Sequence, residues 1–184
     1  MSTDKAFNFQ PELTGKIMQL RALQQPDFEA LYACASDPLV WAGHPSKDRY
    51  QRPNFEKWFE SALEPPGTLI AVERDKPKEI GSSRYYQFDT EAREVAIGYT
   101  FIAREYWGGE VNGELKKLML DYAFQTVDTV WFHIGPDNIR SQRAIHKMGA
   151  VYSHEEIKKL SGGEETYMCF KIHKADWLEA GEKS

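Results

Sequence analysis

The sequence predicts a mixed α/β (α+β) domain built on one mostly antiparallel sheet of about seven strands. Three observations carry that prediction. Strand-like runs at 68–73, 79–88 and 94–102 follow one another with only short Asp-Lys-Pro and Asp-Thr-Glu turns between them, the pattern of an antiparallel meander. Beyond residue 106, strand and helix patterns alternate, so hairpins give way to crossover connections. At 184 residues the chain is long enough for one core and short for two, so residues 1–184 are expected to form a single domain.

Each element has its own signal. Residues 16–23 alternate Met18, Leu20 and Ala22 against Gln19 and Arg21, an opening strand. Pro26 and Asp27 start a helix with the stripe Phe28, Leu31 and Tyr32, and Asp37-Pro38 stops it. A less regular stretch, 40–53, leads to a helix over 54–63 with Asn54 as its N-cap. Phe55, Trp58 and Phe59 share one face of it, as core or as the roof of a cleft. After the meander, Val111, Leu115, Leu118, Met119 and Tyr122 recur at helical spacing. Residues 127–134 read as a strand, 138–148 as a helix closed by Gly149, and 151–154 and 166–172 as closing strands around a mobile Ser161-Gly162-Gly163 loop.

Composition excludes several classes. A hydrophobic content of 41% and an aromatic content of 13% are globular. No apolar run is long enough to span a membrane, and the opening Met-Ser-Thr-Asp-Lys lacks the apolar core of a signal peptide, so a cytoplasmic protein without a membrane partner is expected. Cys34 and Cys169 match no metal-ligand spacing and read as small buried hydrophobes, and the five histidines are scattered, so no metal is expected. A net charge of −5 argues against nucleic acid and is compatible with a cationic or amine substrate.

The chemistry concentrates in the second half. Tyr106-Trp107-Gly108-Gly109-Glu110-Val111-Asn112-Gly113 is a glycine turn feeding a helix. Glycine lets backbone N–H groups approach a ligand, and the helix adds its unpaired N–H groups and dipole, so a phosphate or pyrophosphate is the natural guest. The hairpins before it disfavour a dinucleotide-binding unit, and the absence of Gly-Lys-Ser/Thr disfavours a P-loop and nucleotide-dependent chemistry. A second signature follows: Gly135-Pro136-Asp137-Asn138-Ile139-Arg140-Ser141, with Lys147-Met148-Gly149-Ala150 at its end.

With Ile97-Gly98-Tyr99 and Tyr122-Ala123-Phe124, these pieces resemble the GNAT superfamily of acetyl-CoA-dependent N-acetyltransferases, in the branch similar to ribosomal-protein N-terminal acetyltransferases. The resemblance implies a GNAT-type sheet with helices on both faces and acetyl-CoA as the co-substrate. It implies acetyl transfer to a primary amine, on a protein N-terminus or a small amine or amino-acid-like metabolite, by direct attack in a ternary complex. A homodimer is common in such a family. The rival reading is a non-catalytic CoA- or acyl-CoA-binding module of the same fold. The chain departs from the family's pyrophosphate motif at two positions, with Glu110 and Asn112 where small residues are usual. A carboxylate there costs on the order of 1 kcal/mol if exposed.

The same resemblance distributes roles. A backbone N–H at Phe101 or Ile102 would polarise the thioester carbonyl. Trp107, Gly108, Gly109, Glu110, Val111, Asn112 and Gly113 would hold the pyrophosphate, Asn138 the pantetheine or its turn, and Lys147 with Arg143 the CoA phosphates. Ser141 would donate to the departing sulfur, although Asn138 and Ser141 also suit a helix cap. The family's usual base position is Ala96, so Glu94, on the same strand face, is the expected base, with a water chain to His44 or Tyr86 as the fallback. Trp41, His44, Arg84 and Tyr86 would wall the acceptor pocket. Arg84 could fork onto an acceptor carboxylate or phosphate, or pair within the sheet with Glu94 or Glu79.

Overall fold

A computed structural model describes residues 6–160 and 163–183. Its elements are β1 (Leu13–Thr14), β2 (Met18–Ala22), α1 (Phe28–Ala35), α2 (Pro38–Trp41), α3 (Arg52–Leu63), β3 (Leu69–Glu73), β4 (Glu79–Asp89), β5 (Glu94–Ile102), α4 (Val111–Ala123), β6 (Thr129–Ile134), α5 (Ile139–Lys147), β7 (Val151–Lys158), β8 (Glu165–His173) and α6 (Lys174–Glu182). Short 3₁₀ turns at Gln25–Asp27 and Arg104–Tyr106 precede α1 and the glycine turn.

All eight strands form one sheet in the order β1-β2-β3-β4-β5-β6-β8-β7. Every pairing is antiparallel except β5 with β6, where the crossover through α4 returns the chain in the same direction. That parallel ladder is short. It joins Glu94, Val95 and Ala96 to Thr129, Val130 and Trp131 and then ends. Beyond Ala96 the two strands diverge, and the gap between them becomes the site.

Period-2 alternation sends side chains to two cores. On one face Tyr85, Val95, Ile97, Val130 and Phe132 meet Leu115, Met119, Leu120 and Ala123 of α4. Tyr85 satisfies its buried hydroxyl by donating to Met119 O at 2.6 Å. On the other face Ile70 and Phe101 meet Leu31, Cys34, Phe55, Trp58 and Phe59 from α1 and α3, which makes the aromatic stripe of α3 a core. Burying a side chain the size of leucine stabilises by roughly 1.5–3 kcal/mol, and α4 buries four such, Val111, Leu115, Met119 and Leu120, in this core.

Local details correct the sequence expectations. Asn54 is not a cap: α3 begins at Arg52 with Gln51 as N-cap, Pro53 takes its first turn, and Asn54 Nδ2 donates to Asp48 O at 3.2 Å. Asp37-Pro38 ends one helix and also starts another, because Asp37 Oδ1 accepts from Leu39 N at 3.0 Å and caps α2. The last strand pair is longer than expected, since β7 runs to Lys158, and α6 had no counterpart in the pattern. Of the Ser161-Gly162-Gly163 loop, Ser161 and Gly162 lie outside the described residues. Among the described residues, no helix is long and apolar enough to cross a membrane.

Candidate active site

A cleft of about 570 Å³ occupies the gap between β5 and β6. Residues 97–102 form one wall and 132–135 the other, with the glycine turn and the start of α4 at one end and α5 alongside. His44 and Pro45 reach it from the loop after α2. Two glycines permit that approach. A Cβ on Gly43 would lie 3.3 Å from Asp137 O, and one on Gly135 would lie 3.2 Å from Pro45 Cγ.

The glycine turn keeps open space in front of its backbone. Gly108 has φ +74°, a left-handed conformation that favours glycine, and a Cβ on Gly108 or Gly113 would meet no atom within 4 Å. The first N–H groups of α4 have no partner in their own helix. Trp107 Nε1 donates to Ile102 O at 3.0 Å, tying the turn to the end of β5, and the Arg140 guanidinium stacks over the Trp107 ring at 3.4 Å. Burial lowers the Arg140 pKa, and a nearby phosphate would relieve that cost.

The backbone of β5 distinguishes its two candidate donors. Ala103 N donates to Ile80 O at 2.9 Å, and Phe101 pairs with Ser82. Antiparallel alternation therefore turns the Phe101 N–H toward β4 and the Ile102 N–H toward the cleft. The Phe101 side chain is buried in the second core. Of the two, Ile102 faces the gap.

Asn138 and Ser141 stand together at the start of α5, and Asn138 Oδ1 accepts from Ser141 N at 3.3 Å as an N-cap. Both line the cleft, as do Lys147 and Arg143. Asn112 lines it too. Glu110 and Val111 do not: Glu110 is exposed, and Val111 turns its side chain into the core.

A cation missed by pattern reading sits on the cleft wall. Lys116 of α4 is 5% exposed, donates to Thr100 Oγ1 at 2.6 Å and lies over the Phe132 ring. Burial pushes its pKa down to about 7. Its position on the buried stripe, between Leu115 and Met119, was the available signal.

The other side of the sheet carries a second group. Arg84, Tyr86, Gly98 and His133 share one face. Tyr86 Oη lies 2.6 Å from His133 Nδ1, and Gly98 makes room, since a Cβ there would lie 2.9 Å from Tyr86 Cε1. His133 lines the cleft, while Tyr86 stands behind it. Burial, helped by Lys158 and opposed by Glu156, pushes the His133 pKa down to about 4. Burial raises Tyr86 well above its usual value. Tyr99, at a bulge with φ +53°, lines the cleft beneath the Arg84 guanidinium, 4.8 Å from the ring centroid.

Several expected residues lie elsewhere. Glu94 is outside the cleft lining, because β5 and β6 are still paired there and the gap opens only after Ala96. Trp41 is buried, donates Nε1 to Ala35 O at 2.8 Å and packs edge-on against His44, so it supports the wall without forming it. His44 does line the cleft, but its Nδ1 accepts from Ser46 N at 3.0 Å, and burial with the nearby Arg49 pushes its pKa down to about 3. Its remaining nitrogen is therefore a donor at neutral pH. Arg84 is outside the cleft lining, over the ring of Tyr99, and makes no ion pair with Glu94 or Glu79. Among the described residues, the lining contains no carboxylate. One trio, His154, Glu156 and Cys169, brings its ligand atoms within 4.8 Å of one another, but outside the lining, with Lys158 Nζ 3.4 Å from Glu156.

A strand gap that leaves backbone unpaired and opens onto a glycine turn and a helix N-terminus fits a long, amide-bearing coenzyme ending in phosphates. Such a site suits a coenzyme-dependent group transferase. The family described as the acetyltransferase (GNAT) domain matches residues 18–151, and the chain belongs to that family. Solved structures share the fold. A GCN5-related N-acetyltransferase from Brucella melitensis aligns at 17% identity over 94% of this chain and 85% of its own, with a TM-score of 0.77. A GNAT-family acetyltransferase from Bacillus anthracis aligns at 14% identity over 90% and 99%, with a TM-score of 0.73. Spermidine N-acetyltransferase from Vibrio cholerae, solved with CoA and spermine, aligns at 15% identity over 89% and 99%, with a TM-score of 0.68. A search of curated proteins finds no significant match.

Proposed function

We propose that the chain works as a single domain, residues 1–184, transferring the acetyl group of acetyl-CoA to a primary amine in a ternary complex in the cytoplasm. The observation that carries this reading is the gap between β5 and β6, with the glycine turn at one end and Asn138 and Ser141 beside it. Acetyl-CoA would supply an activated thioester. The residues present supply the rest.

The backbone of 97–102 that faces the gap pairs with the pantetheine amides, and the start of α4 with Gly108 and Gly113 takes the pyrophosphate. Arg140, Lys147 and Arg143 meet the phosphates. The Ile102 N–H polarises the carbonyl at the cleft wall, and the Ser141 hydroxyl stands ready to donate to sulfur. A thiol pKa near ~8.5 asks for little proton help, so one hydroxyl suffices. With no carboxylate in the lining, the ammonium loses its proton through water to bulk solvent before attack, and His133, uncharged at neutral pH and hydrogen-bonded to Tyr86, adds no positive charge against it.

Calorimetric titration with CoA and thiol release against a panel of amines test this together. Micromolar CoA binding with amine-dependent release is expected. CoA binding without release across the panel would favour a non-catalytic CoA-binding module, and no CoA binding would overturn both.

A further inference from the structure

We infer that the acceptor amine also carries a carboxylate, held by Arg84 and Arg49 beside Tyr99. This deepens the transferase reading and rests on it.

Four of the other arginines show what these two lack. Arg21, Arg52, Arg93 and Arg104 each pair with a carboxylate of Asp27, Glu29, Asp128 and Asp37, and three of these four are substantially exposed. Arg84, half-buried, and Arg49, buried, make no ion pair among the described residues. Arg49 is 8% exposed. Its guanidinium lies 5.2 Å from the Trp41 ring centroid and 5.8 Å from that of Trp58, and among the described residues its one polar partner is Ser46 Oγ at 3.1 Å. Burial lowers its pKa to about 10 and lowers that of Arg84 too. Buried charge without a counter-charge is costly, and aromatic faces and a single hydroxyl offset only part of that cost.

Geometry says what is missing. Arg84 Nε is closed off from solvent and has no hydrogen-bond partner among the described residues. The two Nη groups form the end-on edge of the guanidinium, which also matches the two oxygens of a carboxylate. Arg84 stands opposite Gly98 in the ladder, beside the strand that walls the cleft. The Arg84 guanidinium lies 4.8 Å from the ring centroid of Tyr99, a residue of the cleft lining, and Arg49 packs on Trp41, which packs edge-on against His44 of the same lining. A polycationic acceptor would meet these charges with no carboxylate in the lining to offset them. An amine with its own carboxylate would complete the Arg84 fork and neutralise the pair, while its amino group is directed toward the Ile102 N–H wall.

The test compares matched acceptors at saturating acetyl-CoA: amino acids, their primary amides, the decarboxylated amines, and the polyamines spermidine and spermine. The expected result is a kcat/KM at least tenfold higher for a free acid than for its amide or decarboxylated amine. In Arg84→Gln and, separately, Arg49→Lys, the acid-to-amide ratio should fall toward one while the Kd for CoA stays as in the parent. A merely structural role would lower acid and amide alike and leave the ratio unchanged, which would overturn the inference. Equal use of acid and amide, or preference for a polyamine, would also overturn it and leave the transferase reading standing. A protein that binds CoA but acetylates nothing in the panel would overturn both.

Discussion

Lys116 Nζ on α4 donates to the Thr100 hydroxyl on β5 at 2.6 Å, and Thr100 Oγ1 lies 2.7 Å from Ser83 Oγ, which reaches Gly98 O. This polar chain crosses from the helix that follows the glycine turn to the strand that walls the cleft. It anchors the bulge where Tyr99 adopts φ +53°.

Lys116→Met tests what that anchor costs. Burial holds the folded lysine near pKa about 7, below its usual 10.5, so folding penalises the charged form. Between those values the unfolded chain binds the extra proton, and wild-type stability rises with pH. Denaturant unfolding should show the variant more stable at pH 7 by up to about 4 kcal/mol. That gap should close as pH approaches 10.5. A gap that does not change with pH would refute the shift.

Ser141→Ala should lower turnover about 10- to 100-fold and leave the Kd for CoA within about threefold, measured by steady-state kinetics and calorimetry. The backbone N–H that Asn138 caps survives the substitution. If affinity collapsed instead, Ser141 would be a binding residue.

Gly98→Ala should destabilise by about 1–3 kcal/mol, because its Cβ would lie 2.9 Å from Tyr86 Cε1 and 3.2 Å from Tyr86 Oη. Thermal unfolding reads the loss. Turnover should fall with it, since Tyr86 must shift away from His133. An unchanged melting temperature together with full activity would mean that the pair tolerates the displacement.

Glu94→Gln should leave kcat within about twofold of wild type, since removing a carboxylate outside the lining removes no proton acceptor from the cleft. Glu110→Gln should change the Kd for CoA by no more than about threefold, the scale of an exposed charge. A large loss of kcat in Glu94→Gln would bring the carboxylate back as the base.

Much of the fold was legible because it rests on local signals. The alternation of Met18, Leu20 and Ala22, the helical stripe from Val111 to Tyr122, and the glycine turn at 108–109 each declare their conformation within a few residues. The gathering of Trp107, Gly108, Asn138 and Ser141 around one cleft was legible for the same reason, since they lie on two short contiguous motifs. The opposite side of the cleft was not. Glu94 carries the right chemistry on the right strand face, but nothing nearby in the chain reveals that β5 and β6 remain paired through Ala96. Arg49 looked like part of an irregular stretch until Trp41 and Trp58 closed around it.

The amino-acid pattern determined most of the order of strands and helices, the glycine turn and the family resemblance, because backbone geometry, helix periodicity and glycine content act over neighbouring residues. Only the tertiary structure decided where the β5–β6 ladder ends, which backbone N–H faces the gap, and which cations are buried without a counter-charge among the described residues. Those properties depend on distances between residues far apart in the chain. Tyr86 meets His133 across Gly98, and Lys116 meets Thr100, only once the sheet has formed and α4 has packed against it.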